Sequence, residues 1–138
     1  MVKLIMGLKG SGKTKKLVEL VKNAVEEEHG NVVCIEKDKN LTYDIPYTVR
    51  LIHAGDYSIC TNQLLKGFLC GLHAGNYDIT HVFIDNFYKL LDDTTDEGVT
   101  EVLGWAEDFS NRENVKFTIS ATVDPNNVGD GIKKYFLT

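Results

Sequence analysis

Apolar residues fall along this chain in two alternating rhythms. Short β-branched runs at 2–6, 31–36, 81–85 and 115–121 read as buried strands, and a weaker run at 47–52, after Pro46, reads as a further short strand. Between them the period lengthens. Leu17, Leu20, Val21, Ala24 and Val25 form the stripe of a helix that starts near Lys13 and is stopped by Gly30 and Asn31. Leu64, Leu65, Phe68, Leu69 and Leu72 repeat the stripe behind a candidate cap at Thr61, closed by Gly75 and Asn76. A third helix runs through Val99, Val102, Leu103, Ala106 and Phe109, and Thr94 with Glu97 predicts its capping box. The last apolar stretch, 134–137, predicts a short closing strand.

Strands alternating with helices of a dozen residues or more imply right-handed crossovers and a mostly parallel sheet of about five strands in a three-layer α/β/α fold. With 138 residues, 43% of them hydrophobic and 25% charged, composition is that of one globular domain over 1–138. The first apolar run is too short for a signal peptide or a membrane span, so a cytoplasmic protein is expected. Cys34, Cys60 and Cys70 are odd in number and never spaced C-x-x-C, which predicts reduced, buried thiols. Cys70 and His73 share a helix face, where packing explains them better than a metal.

The chemistry sits at residues 7–14, Gly-Leu-Lys-Gly-Ser-Gly-Lys-Thr, the G-x-x-x-x-G-K-S/T spacing that cradles phosphate. The order strand, loop, helix is the one this chemistry needs. Gly7, Gly10 and Gly12 let consecutive N–H groups turn inward, with Lys9 and Ser11 in the same loop, and the helix start adds partial positive charge. Lys13 would reach the β- and γ-phosphates of ATP, and Thr14 would place its hydroxyl on Mg2+. The run 81–85 ends in Asp85, at the strand end where an open α/β sheet binds ligands, so its carboxylate is a second metal candidate. Asp92, Asp93, Asp96 and Glu97 read as helix-start chemistry instead.

A net charge of −5 brings no general attraction to nucleic acid, and the clustered Lys9, Lys13, Lys15 and Lys16 surround the loop, where an anionic ligand explains them. Only Arg50 and Arg112 are present, too few for the arginine clamp of a nucleoside monophosphate kinase. Either arginine is a candidate finger supplied to another copy of the chain.

These two signatures make the chain resemble the P-loop NTPases, 7–14 matching the first and 82–85 the second. Within them it looks most like the RecA-like (ASCE) group and, more narrowly, like a set of short bacterial ATP-binding proteins. The resemblance implies that the strand after Asp85 lies between the two signature strands. It also implies a water-activating carboxylate at the exit of the second strand, here Glu36, since Asn86 stands where others of the group carry one directly after the Asp. Ser120 or Thr122 matches the polar sensor near the γ-phosphate. A thymidine-kinase-like reading lacks that family's zinc cysteines and lasso. The expectation is therefore a Mg2+-dependent ATP-binding protein and ATP hydrolase, with Lys13 and Glu36 catalytic. The alternatives are a non-hydrolysing nucleotide switch acting on a protein partner or a homo-oligomer, and a small-molecule kinase. No Asn-Lys-x-Asp stretch is present to read guanine, so adenine is the default base.

Overall fold

A computed structural model describes residues 1–137. Five strands, β1 (Val2–Gly7), β2 (Asn31–Glu36), β3 (Arg50–His53), β4 (Ile79–Ile84) and β5 (Lys116–Thr122), form one sheet in the order β1-β5-β4-β2-β3. Every pairing is parallel. The helices are α1 (Lys13–Glu27), α2 (Asn62–Gly75), α3 (Asp96–Glu113) and the single turn α4 (Asp130–Lys133). β5 therefore lies between β1 and β4, and the carboxyl ends of all five strands share one edge of the sheet.

Strand alternation explains the layers. Val32, Cys34 and Phe83 point to one face, where Leu17, Val21 and Ala24 of α1 meet them; Val33, Ile35, Val82 and Ile84 point to the other, toward Leu65 and Leu69 of α2 and Val99, Val102 and Leu103 of α3. Both faces of the central strands are apolar because both are covered, as a parallel sheet requires.

Several boundaries differ from expectation. β3 begins at Arg50, because residues 46–49 form a turn in which the Pro46 carbonyl accepts from Val49 N at 3.0 Å, and Ile45 and Val49 are drawn into the core under α1. α1 stops at Glu27, ahead of Gly30. α2 keeps its Thr61 cap, whose Oγ1 accepts from Leu64 N at 3.0 Å, and its end at Asn76. The cap of α3 is Thr95, not Thr94: Oγ1 of Thr95 accepts from Gly98 N at 3.1 Å, and Asp93 Oδ1 holds Thr95 through N at 3.1 Å and Oγ1 at 2.6 Å. Gly98 then occupies the third helical position, and no capping box forms.

The segment 134–137 makes a single parallel bridge, Phe136 to Leu4, with Leu4 N donating to Tyr135 O at 2.8 Å and Leu137 N to Leu4 O at 2.9 Å. It laces the outer side of β1 without becoming a sixth strand. Cys34 is buried, whereas Cys60 and Cys70 are exposed, against the expectation of buried thiols throughout. Among the described residues no helix is long and apolar enough to cross a membrane.

Candidate functional site

The glycine-rich loop leaves β1 at Gly7, where any side chain would collide with Ser11. Gly10 (φ 87°) and Gly12 (φ 84°) both adopt left-handed backbone that an L side chain resists, and Ser11 N closes a turn onto Leu8 O at 3.1 Å. This bend delivers the chain directly into α1. Unlike α2 and α3, α1 has no side-chain cap, and its first turn carries no carboxylate, so its first amides keep their donors and their partial positive charge. Lys13 is buried, and its ammonium reaches only the Leu8 carbonyl, at 3.5 Å. It enters no ion pair among the described residues. Thr14 is half-buried beside it, while Lys9, Lys15 and Lys16 are exposed.

Across the carboxyl edge, Asp85 follows β4 and is 3% exposed. Its Oδ1 accepts from Ser120 Oγ at 2.6 Å, and its Oδ2 meets only the Asn86 side-chain amide at 3.4 Å. A buried carboxylate with one occupied and one nearly free oxygen fits a cation or an ordered water. Cys34, two residues before Glu36, registers the charge here: burial first, then the carboxylates of Asp85 and Glu36, push its thiol far above the usual range. Among the described residues no group of three or more His, Cys, Asp or Glu forms a ready cage.

Asn86 carries no signature in the sequence, yet it joins this constellation. It sits in left-handed backbone (φ 53°), its N donates to Ser120 Oγ at 3.1 Å, and its Oδ1 accepts from Thr122 Oγ1 at 3.0 Å. Asp85, Asn86, Ser120 and Thr122 thus form one network across the ends of β4 and β5. The tolerance of Asn for left-handed backbone directly after a strand was the only local hint.

Glu36 behaves differently from the other predicted residues. It is 2% exposed, its Oε1 accepts from Asn40 N at 2.9 Å and Leu41 N at 3.2 Å, and Oε2 accepts from Leu41 N at 3.2 Å and lies 3.3 Å from His53 Nδ1. Both oxygens are therefore engaged in tying down the loop that follows β2. The nearby Gly55 continues the tie, its N donating to Lys37 O at 3.0 Å. Nothing in the spacing of the sequence announces His53 as a partner of Glu36.

Both arginines are exposed. Arg50 opens β3 and Arg112 lies in the last turn of α3, stacked over Phe109 at 5.5 Å, so both stand at the edge of the sheet away from the glycine loop. Neither belongs to the site within one chain. No family model matches the chain, and no curated protein matches it.

Proposed function

We propose that the protein binds a nucleoside triphosphate, with ATP as the default, together with Mg2+, at the glycine-rich loop. The observation that carries this reading is the pairing of an uncapped α1 with Lys13, a buried residue whose ammonium has one long contact to a backbone carbonyl. An ammonium held this way keeps hydrogen-bond donors to spare, and phosphate oxygens would supply acceptors for them. The loop amides and Lys13 would hold the β- and γ-phosphates, and Thr14 and Asp85 would hold the Mg2+, which when bound would neutralise phosphate charge. Ser120 and Asn86 hold the Asp85 carboxylate in place through contacts at 2.6 and 3.4 Å. The position of β5 between β1 and β4 supports the same assignment, since it puts Ser120 between the glycine loop and Asp85.

Hydrolysis is the second step of the proposal and the slower one. Glu36 can orient water only after its carboxylate leaves the amides of Asn40 and Leu41, and this favours a protein that holds its nucleotide and turns it over slowly, as a switch read by a protein partner. The test is calorimetric binding of Mg-ATP to wild type and Lys13→Ala, with phosphate release measured on the same samples. Binding lost by about a hundredfold in the variant, with slow release in wild type, supports the reading. Equal affinity in both proteins removes it.

A further inference from the structure

A second polar constellation lies at the opposite edge of the sheet, under the last turns of α1. A groove of about 390 Å³ runs there, lined among others by Leu20, Glu28, Lys3, Lys116, His81 and Thr118. On its wall His81 Nδ1 lies 2.5 Å from Glu28 Oε2, and His81 Nε2 lies 2.8 Å from Thr118 Oγ1. With Glu28 ionised, Nδ1 carries the proton it donates, so Nε2 is bare and accepts from the Thr118 hydroxyl. The ring is clamped against Phe83, stacked at 4.1 Å, and Lys116 Nζ steadies Glu28 at 3.5 Å. Lys3 is the register partner of Thr118 on β1, so its side chain leaves the same face of the sheet beside the hydroxyl.

This is a hydroxyl, a base and an orienting carboxylate in hydrogen-bond sequence, facing a space of ligand size. Stability alone does not call for it, because three buried polar side chains on one apolar face are commonly replaced by aliphatic ones without loss. We propose that Thr118, His81 and Glu28 form a hydrolytic site, independent of the nucleotide loop, that cleaves esters of small carboxylic acids by acyl transfer through Thr118.

The chemistry balances with water as the only co-reactant. Thr118 Oγ attacks the ester carbonyl as its proton passes to His81 Nε2, and the Lys3 ammonium faces the developing oxyanion. The carbon–oxygen bond to the alcohol then breaks, the alcohol leaving with the proton from His81. Water next attacks the acyl-Thr118 ester, giving its proton to Nε2; the carboxylic acid departs, and the proton returns to Thr118 Oγ. Burial holds the His81 imidazole below its usual range against the opposing pull of Glu28, so the base is neutral at neutral pH. The charged groups facing it are Glu27 and Glu28 from the end of α1, Lys3 and the Met1 amino group from β1, and Lys116 from β5.

The experiment is hydrolysis of p-nitrophenyl acetate by the full chain, with peptide mapping of the protein quenched during turnover. The expected result is an acetyl group on the peptide spanning Thr118, a rate lowered by about 10²-fold or more in Thr118→Val, and activity kept in Thr118→Ser. Glu28→Gln should also move the acidic limb of the pH–rate profile, which a merely structural carboxylate would not do. Should Thr118→Val fold poorly, the wild-type adduct and Thr118→Ser still decide. Acetyl on lysines alone, or equal rates in wild type and a folded Thr118→Val, overturns the proposal.

Discussion

At the scale of single residues, the two buried carboxylates at the carboxyl edge divide the labour. Asp85 keeps an oxygen nearly free, whereas Glu36 spends both on backbone amides. Glu36→Gln puts an NH2 group against those N–H donors, and the expected loss of stability is roughly 1–3 kcal/mol by denaturant unfolding. An unchanged midpoint would mean that the loop does not depend on the carboxylate. Acid acts through His81 and Glu28. His81 is held below its ordinary 6.5 chiefly by burial, so the unfolded chain takes up its proton first, and stability falls as pH drops below that value. Burial of Glu28 works to raise its pKa, but the hydrogen bond from His81 and the charges of His81 and Lys116 leave it below 4.5; its contribution is therefore lost at still lower pH, as the solution passes through that depressed value. Thermal midpoints measured from neutral pH downward should fall in both ranges, and His81→Asn should lose the upper one. A midpoint that stays flat below pH 6.5 in wild type would contradict the burial of a neutral His81.

At the scale of elements, the caps give the clearest test. Thr95 caps α3 through Gly98 N, so Thr95→Ala should cost about 1 kcal/mol, while Thr94→Ala should stay within about 0.5 kcal/mol of wild type. Equal costs would restore the position read from the sequence. The strand and helix types were legible because apolar runs and stripes of unambiguous period mark them: 2–6, 31–36 and 81–85 fall on β1, β2 and β4, and Leu17 through Ala24 on α1. Boundaries were not, because they depend on long-range partners. Thr94 and Thr95 look equivalent until Asp93 fixes one of them, and Phe136 looks like a strand residue until its single bridge to Leu4 is seen. α4 was invisible, a single turn in a polar stretch.

At the scale of the whole molecule, parallel order gathers every strand end that carries the candidate chemistry onto one edge. The glycine loop, Asp85 and Ser120 each sit at a strand exit; the first two were picked out of the sequence on that ground, and Ser120, with Thr122, only through the resemblance. The tie between Glu36 and the loop after β2 was not, since a carboxylate's choice between water and backbone amides depends on where a distant loop folds. The sheet itself rests on the face under α1, where Phe83 is fully buried; Phe83→Ala should cost roughly 3–5 kcal/mol in denaturant unfolding, and a loss below 1 kcal/mol would contradict that packing. The central claim is that a triphosphate fills the space bounded by the loop amides and Lys13. Calorimetric titration of Mg-ATP into wild type and Lys13→Ala measures this most directly. Saturable binding by wild type, weakened about a hundredfold in Lys13→Ala, is the predicted result; no heat of binding in wild type would contradict it.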